Sequence, residues 1–241
     1  VRNYYSVISP GTESKTVSDA RKGYIAKAKS RQKEVKMVID MIKTEGLKKT
    51  YDVVMNKLEA LSPLGYSCVG EVIAVGEGIT DFKVGDFAAC GGAGAYHAEV
   101  VAVNRNLCVK VPKHVDVKQA AFTTIAAISI QGIRQADLRF GENCTVIGLG
   151  LIGLLTIQIL KAAGIKAIGV DIDAAQVNKA KSIGAELALN RGQDGITHII
   201  HDFTFGYGTD AVIITAGTSS LDPVEFADRK STRLNSSHRI R

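Results

Sequence analysis

The chain has 241 residues, of which 46% are hydrophobic and 22% are charged. This composition excludes a wholly disordered chain, and the length allows one large domain or two modest ones. No apolar run approaches the roughly 18 to 20 residues that a membrane-spanning helix requires. The net charge of +6 is concentrated, because residues 15–57 hold 12 Lys and Arg against 5 Asp and Glu, and residues 228–241 hold 5 against 1. The rest of the chain is mildly acidic, which argues against nucleic acid as a partner of the whole surface.

Residues 1–13 and 64–120 have the short apolar runs and Gly-rich turns of a β domain. Within them, Glu71–Gly76 and Ala98–Val103 have strand propensity, with turn signals between the two segments. We therefore expect an all-β domain that is interrupted once.

The interruption, residues 14–62, predicts a basic helical insert. Apolar side chains recur there at helical spacing, in one stripe before Gly46 and another after it. The stripes consist of Val35, Val38, Ile39, Ile42, Leu47, Tyr51, Val54, Leu58 and Leu61. One interpretation is that these helices bind a partner or a membrane surface. The other, which is the usual meaning of a charge run, is a solvated lysine-rich face over a stripe that packs on its own protein.

From about Cys144 the pattern alternates between strands and helices. The predicted strands are 145–150, 166–171, 185–190 and 210–217, and the predicted helices are 151–164, 173–184 and 195–203. Such alternation is typical of a parallel sheet with crossover helices, so we expect the α/β fold class.

The run Gly148–Gly153 has the pattern G-x-G-x-x-G and carries the clearest chemical meaning in the chain. It follows an apolar strand and opens a helix, which is the context of a dinucleotide fingerprint. In that fingerprint Gly148 permits the tight turn, Gly150 lets the backbone approach a pyrophosphate, and Gly153 lets the helix pack on the strand. The alternative is a Gly-rich turn in a flavodoxin-like sheet that binds no nucleotide.

Two further features complete the predicted cofactor site. The N–H groups near Leu151 and Ile152 lie at the positive end of the predicted helix, where anions bind. Asp171 ends the next strand, where a carboxylate accepts hydrogen bonds from ribose hydroxyls and repels a 2′-phosphate. No Arg follows Asp171, so the sequence favours NAD over NADP.

Several segments resemble signatures of the medium-chain dehydrogenase/reductase superfamily, the zinc alcohol dehydrogenases and quinone reductases. They are Ser9–Glu13, Pro63–Val72, Val75–Gly78, Lys83–Asp86 and Gly148–Gly153. The resemblance implies a GroES-like β domain for the substrate over residues 1–120, and a Rossmann domain for the nicotinamide over 121–227 whose sheet is incomplete. The chain looks most like a subgroup with a helical insert at this place, fused to a glucose-fructose-oxidoreductase-like domain and often associated with bacterial polysaccharide biosynthesis.

The departures from the family concern zinc. The resemblance places the catalytic zinc ligands at Pro10, at Tyr66 and at or near Ile125, and none of these is a plausible zinc ligand. The structural zinc lobe of the family uses four closely spaced cysteines. The cysteines here are far apart in the sequence and include no C-x-x-C: Cys68, Cys90, Cys108 and Cys144. We therefore expect no zinc, and buried thiols in a reducing, cytoplasmic compartment.

Hydroxyl groups are then the candidates for handling the proton. The resemblance carries the proton-relaying hydroxyl of the family to Thr12. Tyr66 is a hydrogen-bond donor for a carbonyl oxygen, with a packing aromatic as the alternative. Glu13 is expected to position backbone, and His97 is expected to be structural.

The carboxyl end of the chain predicts a non-native tail. Asp228–His238 resembles the translation of a sequencing-library adapter, and such scars are excluded from fold reasoning. We therefore expect residues 228–241 to be foreign and the natural chain to continue past about Ala227. The first residue is Val1 and not Met, so we also expect a fragment.

The sequence as a whole predicts a zinc-independent, NAD(P)-dependent oxidoreductase that acts on a small polar or sugar-type substrate. By analogy with the family, Thr215 and Ala216 line the nicotinamide side of the site. The alternative is a nucleotide-binding module that has lost catalysis and serves a fused partner domain. A polyanion-binding protein that works through the basic insert is a third hypothesis. Whether the full-length protein forms a homo-oligomer is left open by the sequence.

Overall fold

The structure is a computed structural model and describes residues 1–21, 32–59 and 63–228. The chain divides into two compact units, Val1–Lys113 and His114–Arg241. Among the described helices, none combines the length and apolar character needed to cross a membrane.

The first unit is built on an antiparallel sheet with the strand order β1-β2-β3-β4. Its strands are β1 (Arg2–Ser6), β2 (Ser67–Glu71), β3 (Phe87–Gly91) and β4 (Cys108–Lys110). At Gly70 in β2, a Cβ would overlap the carbonyl oxygen of Arg2 in β1. Pairing of β1 with β2 in this register therefore requires glycine at that position.

Two predicted strands of this unit are wrong. Glu71–Gly76 contributes only its first residue to β2, because the chain leaves the sheet after Val72. Ala98–Val103 runs beside β1 with irregular pairing, in which the side-chain amide of Asn3 donates to the carbonyl of Ala98 at 2.6 Å. Of the valines in these segments, Val72 and Val101 are buried whereas Val75 and Val100 are exposed, so strand propensity here predicted neither burial nor regular pairing.

The predicted insert is helical wherever the structure describes it. Its helices are α1 (Pro10–Arg21), α2 (Gln32–Glu45) and α3 (Leu47–Glu59). The first helix begins before the predicted insert, so Thr12 and Glu13 lie in a helical turn and not in a strand. Proline suits the first helical position because its φ is already helical and its missing N–H has no helical partner there. A Ser-Pro-Gly sequence resembles a turn locally, which hides this helix start.

Helices α2 and α3 pack against each other across Gly46, whose φ of +84° favours glycine. Thr50 is buried, and its hydroxyl donates to the carbonyl of Gly46 at 2.8 Å. The predicted apolar stripe is nevertheless only partly buried. Its exposed members are Ile39, Leu47 and Tyr51, and its half-buried members are Val35, Val38, Ile42 and Val54. The side chain of Leu58, and Leu61 as a whole, lie outside the described residues.

The second unit is built on a parallel sheet with the strand order β7-β6-β5-β8. Its strands are β5 (Asn143–Ile147), β6 (Lys166–Asp171), β7 (Leu187–Asn190) and β8 (Ala211–Ile214). Its helices are α4 (Val117–Ala120), α5 (Thr123–Gln135), α6 (Leu151–Ala162), α7 (Ala174–Ile183), α8 (Ile196–Phe203) and α9 (Asp222–Asp228). The α/β fold class is confirmed, and every strand and helix predicted for this region is present with slightly shifted ends.

The second unit begins at His114. The unit includes α4, whereas the sequence placed the domain boundary after residue 120. The side chain of Asp116 caps α4 by accepting from the backbone N–H of Lys118 at 2.8 Å, so this helix starts inside the second unit. At the other end, Asp228 is the last residue of α9, and residues 229–241 of the predicted tail lie outside the described residues.

Candidate functional site

The candidate cofactor site lies at the carboxyl ends of β5 and β8. The chain moves outward from β5 to β6 and β7, then returns to the other side of β5 as β8. Ligands of open parallel sheets bind at such a reversal, outside the carboxyl ends of the strands. Gly148–Gly153 leaves β5 at this point, and Thr215 leaves β8 beside it.

Gly148 makes the turn out of β5, and two features require glycine there. Its φ is +95°, a conformation that L side chains rarely adopt. A Cβ on Gly148 would also lie 2.5 Å from the backbone nitrogen of Ala216. The loop is therefore seated directly against the end of β8.

Gly150 and Gly153 have opposite surroundings. At Gly153, a Cβ would overlap the carbonyl oxygen of Gly148 and lie 2.9 Å from Oγ1 of Thr215. At Gly150, no atom lies within 4 Å of the place that a Cβ would take. Gly153 is therefore required by packing within the unit, whereas Gly150 leaves open space in front of the loop, as a pyrophosphate close to the backbone needs.

The first turn of α6 offers an anion site in front of this space. Gly150 is its N-cap and has no side chain, so it supplies no capping oxygen to the N–H groups of the turn. Leu151 and Ile152 begin the helix, and such leading N–H groups have no intrahelical acceptor. The carbonyl of Ile152 accepts from the hydroxyl of Ser129 at 3.3 Å, which ties this turn to α5. The free N–H groups and the positive helix end suit a phosphate group.

Asp171 at the end of β6 is joined to the glycine loop. Its Oδ2 accepts from the backbone N–H of Leu149 at 2.5 Å, and its Oδ1 accepts from the N–H of Asp173 at 2.8 Å. A carboxylate has about four acceptor positions, so two remain for other donors. The residue as a whole is half-buried. The sequence predicted its place but gave no sign of its bond to Leu149.

The end of β8 braces the same loop. The hydroxyl of Thr215 donates to the carbonyl of Gly148 at 2.5 Å, and its backbone N–H donates to the carbonyl of Ile147 at 2.8 Å. The N–H of Ala216 also donates to Ile147, at 3.1 Å. The two residues predicted to line the nicotinamide therefore also hold the glycine loop in place.

The predicted catalytic hydroxyls lie in the first unit. Thr12 is exposed in the first turn of α1, with its Oγ1 at 3.4 Å from Oγ of Ser9. Tyr66 is half-buried just before β2, and its carbonyl accepts from the N–H of Gly92 at 3.0 Å. In the described residues no hydrogen bond joins Thr12 to Tyr66.

Sequence reasoning missed a hydrogen-bonded group in the same unit. Nδ1 of His97 lies 2.9 Å from Oγ of Ser6, and Nε2 lies 3.3 Å from Oε1 of Glu13. The sequence interpreted His97 as structural and Glu13 as a group that positions backbone. Glu13 does accept from the backbone N–H of Ser9 at 2.9 Å, but it also binds the imidazole. No periodicity links residues this far apart, so no sequence signal was available.

The residues at the ligand positions of the family do not fit a zinc ion. Pro10 opens a helix and Ile125 is fully buried in α5, and neither side chain has a donor atom. Across residues 1–21, 32–59 and 63–228, no group of three or more His, Cys, Asp or Glu side chains could hold a metal ion. Two of the three positions therefore offer no donor atom to a zinc ion, and Tyr66 offers only a phenol oxygen.

All four cysteines are thiols, and three of them form a row across the first sheet. Cys90 on β3 pairs with Cys68 on β2 and with Cys108 on β4, and the sulfurs of Cys90 and Cys108 are 3.7 Å apart. Burial raises the pKa of Cys108 to about 12, and burial does the same for Cys144 in β5. These two thiols are therefore protonated at neutral pH and poor nucleophiles.

Comparisons with known proteins find that the chain is similar to dehydrogenases. Residues 152–224 match the family described as "Zinc-binding dehydrogenase". The chain is 31% identical over 179 residues to (R,R)-butanediol dehydrogenase of Bacillus subtilis, a match that covers 64% of this chain and 51% of that protein. It is 35% identical over 156 residues to D-guloside 3-dehydrogenase of Escherichia coli, covering 64% of this chain and 44% of that protein. The chain thus spans about half the length of these relatives.

Solved structures agree with these sequence matches. An alcohol dehydrogenase from Thermus sp. ATN1 superposes with a TM-score of 0.64 at 25% identity, over 70% of this chain and 58% of that one. The 2R,3R-butanediol dehydrogenase from Bacillus subtilis superposes with a TM-score of 0.61 at 27% identity, over 70% and 55%. Together the matches support a relationship to the zinc-type alcohol dehydrogenase-like proteins.

Proposed function

We propose that this chain, which the matches above relate to the zinc-type alcohol dehydrogenases of the medium-chain dehydrogenase/reductase superfamily, is part of an NAD-linked oxidoreductase. Its reaction is hydride transfer between the nicotinamide and a secondary alcohol of a sugar or polyol. The observation that carries the proposal is the Gly148–Gly153 loop, which faces open space at Gly150 and is joined to Asp171. The relatives named for butanediol and D-guloside support this substrate class, and the resemblance to the fused subgroup supports a role in polysaccharide biosynthesis.

The residues that would hold the cofactor follow from the loop. The N–H groups of Leu151 and Ile152 bind the pyrophosphate at the start of α6. The remaining acceptor positions of Asp171 take the ribose hydroxyls, and its negative charge disfavours a 2′-phosphate, so NAD is the cofactor. The bound nicotinamide supplies the hydride chemistry, while the protein orients the substrate and handles the proton.

The proposed reaction does not use zinc. Pro10 and Ile125 have no donor atom at the positions where the family holds its catalytic metal. Hydrogen-bonding side chains of the first unit, Thr12 and Tyr66 among them, therefore replace the metal in stabilising a substrate oxygen.

The cofactor assignment is tested by calorimetric titration of the protein containing this chain with NADH and with NADPH. Native protein is expected to bind NADH at least tenfold more tightly than NADPH, a difference of about 1.4 kcal/mol. In Asp171→Asn, the NH₂ group replaces one of the two carboxylate oxygens and cannot accept a hydrogen bond from the backbone N–H of Leu149 or Asp173. The negative charge is also lost, so NADH binding is expected to weaken and the preference for NADH over NADPH to disappear. Asp194→Asn is the matched control, because Asp194 is an exposed aspartate of the same unit. Unchanged binding in Asp171→Asn would overturn the assignment.

The second candidate is a nucleotide-binding module without catalysis, which the poor donor set at the zinc positions favours. NADH binding without NAD⁺ reduction on a panel of polyols and sugars would support it. Turnover that survives exhaustive chelation would exclude it and support zinc independence. Turnover that chelation abolishes and added zinc restores would instead overturn the zinc-free proposal.

A further inference from the structure

Cys90 and Cys108 face each other across the strands β3 and β4 of the first unit. Their Cα atoms are partners in the antiparallel ladder, and their sulfurs are 3.7 Å apart. The same ladder continues to Phe87 and Val111, where the N–H of Val111 donates to the carbonyl of Phe87 at 2.9 Å. Hydrogen-bonded and non-hydrogen-bonded pairs alternate along such a ladder. Cys90 and Cys108 are therefore a non-hydrogen-bonded pair, the kind in which opposed side chains are closest.

Cys68 on β2 is the other neighbour of Cys90 in the sheet, but its position suits a disulfide less well. In that ladder the N–H of Gly92 donates to the carbonyl of Tyr66 at 3.0 Å, and Cys68 and Cys90 are the next pair of the same kind. The Cα atoms of a hydrogen-bonded pair lie about 1 Å further apart than those of a non-hydrogen-bonded pair. Because a disulfide requires Cβ atoms within about 4.5 Å, the register favours Cys108 as the partner of Cys90.

Cys108 is also the more accessible of these two thiols. Cys90 is buried, whereas Cys108 is half-buried. Cys108 lines a partly open cavity of about 90 Å³ in the first unit, together with Phe82, Arg105 and several aliphatic side chains. This volume is several times that which one water molecule requires, so a molecule of the size of hydrogen peroxide fits. A small oxidant therefore reaches Cys108 before it reaches Cys90.

We propose that Cys90 and Cys108 are a site of reversible oxidation, at which a peroxide converts the two thiols into a disulfide between β3 and β4. The thiolate of Cys108 attacks the peroxide, whose O–O bond breaks, and the products are a sulfenic acid and hydroxide. The thiol of Cys90 then displaces the sulfenic oxygen as water while the S–S bond forms. Each sulfur loses one electron, the peroxide gains both, and the two thiol protons leave in two molecules of water. A dithiol reverses the reaction by exchange.

The disulfide fixes both ends of the loop 92–107, which connects β3 to β4. This loop carries His97, whose ring contacts Glu13 and Ser6. A cross-link at its ends restricts the conformations of the loop, so its local opening becomes rarer and its amide hydrogens exchange more slowly. The inference goes beyond the proposed function and does not depend on it, because neither thiol takes part in cofactor binding or hydride transfer.

Peptide mapping of the native protein after treatment with hydrogen peroxide tests the site. Burial raises the pKa of Cys108 to about 12, so the treatment is made at about pH 9, where more of the reactive thiolate is present than at neutral pH. The folded protein is expected to lose about 2 Da, the mass of the two thiol hydrogens. It should yield one cross-linked pair of peptides, which carry Cys90 and Cys108, and it should recover its mass in dithiothreitol. A cross-link between other cysteines, addition of oxygen without a cross-link, or an unchanged mass would overturn the proposal.

Two variants and an exchange measurement complete the experiment. Cys108→Ala should abolish the cross-link, whereas Cys144→Ala, which removes a buried thiol of the second unit, should retain it. The mapping uses the native protein, so its result stands even if a variant fails to fold. In the oxidised native protein, the amide hydrogens of residues 92–107 should exchange more slowly than in the reduced protein, with those of residues 166–190 as the unchanged reference. Equal exchange of the loop in both forms would overturn the restriction of the loop.

Discussion

The glycine loop of the second unit and the His97 group of the first unit are built in different ways. The loop is made of backbone, because its positions are set by a left-handed turn at Gly148 and by the absence of a side chain at Gly153. The His97 group is made of side chains from three distant segments, joined at the ring nitrogens. Gly148 and Gly153 leave no room for a Cβ. A site made of side chains, in contrast, accepts substitutions that keep the shape of a side chain, and it is sensitive to the loss of a charge or of a proton.

The largest expected effect is on the loop. In Gly153→Ala the new Cβ overlaps the carbonyl of Gly148 and crowds Thr215, so α6 must move away from β5. Overpacking of this kind costs about 3 kcal/mol, which urea unfolding measures. Gly132→Ala in α5 is the matched control, because its nearest neighbour is 3.9 Å away and the change should be neutral or slightly stabilising. Equal stability of the two variants would show that the loop is not closely packed.

Gly150→Ala separates the two roles of the loop glycines. The methyl group meets no atom within 4 Å, so the free energy of unfolding should change by less than about 1 kcal/mol, the amount that an N-cap replacement costs. NADH affinity should fall at least tenfold, about 1.4 kcal/mol, because the methyl occupies the space proposed for the pyrophosphate. Titration calorimetry beside urea unfolding measures both quantities. Affinity equal to that of the native protein would place the phosphates elsewhere.

A smaller effect is expected at the end of β8. Thr215→Val keeps the shape of the side chain and removes the hydroxyl that donates to the carbonyl of Gly148. Loss of one such hydrogen bond costs about 1 kcal/mol, visible as a lowered urea midpoint. Thr215→Ser retains the donor and serves as the control. A native midpoint in Thr215→Val beside a lowered midpoint in Thr215→Ser would mean that the methyl group and not the hydroxyl braces the loop.

The smallest effect is expected at the cysteines, which belong to neither site. The pKa of Cys108 and that of Cys144 are both raised to about 12 by burial, so the reactive thiolate is scarce at neutral pH. Alkylation of Cys108 and Cys144 by iodoacetamide should be slow at pH 7.5 and should accelerate as pH rises toward 12. Brief treatment at pH 7.5 should leave NADH binding intact. Rapid loss of binding, prevented by bound NADH, would mean that a thiol lies in the cofactor site.

The same contrast explains what the sequence could predict. The parallel sheet and the Gly148–Gly153 turn depend on local patterns, since alternating apolar runs and glycine spacing are readable within about 30 residues. Asp171 was also found this way, as the acidic residue that ends the next strand. Its hydrogen bond to Leu149 was not, because pairing across strands has no local signal.

In the first unit, the start of α1, the end of β2 and the partners of His97 could not be predicted from the sequence, for physical reasons. The start of α1 at Pro10 is locally a turn sequence, although the fixed φ of proline also suits the first position of a helix. The segment Glu71–Gly76 is rich in β-branched residues, and Val72 within it is buried. Most of the segment nevertheless lies outside β2, which ends at Glu71. The partners of His97 are brought together only by the fold, so composition and periodicity gave it no role beyond packing.

The bond between Asp171 and Leu149 has a consequence for how binding energies add. The same carboxylate that would take the ribose hydroxyls also fixes a backbone N–H inside the phosphate turn. A ligand fragment that draws Asp171 toward a ribose therefore shifts the turn that would receive the pyrophosphate. Groups that share a partner in this way show coupling energies instead of independent contributions. The affinity of a whole dinucleotide for this site should accordingly differ from the value obtained by combining its separate adenosine and pyrophosphate halves.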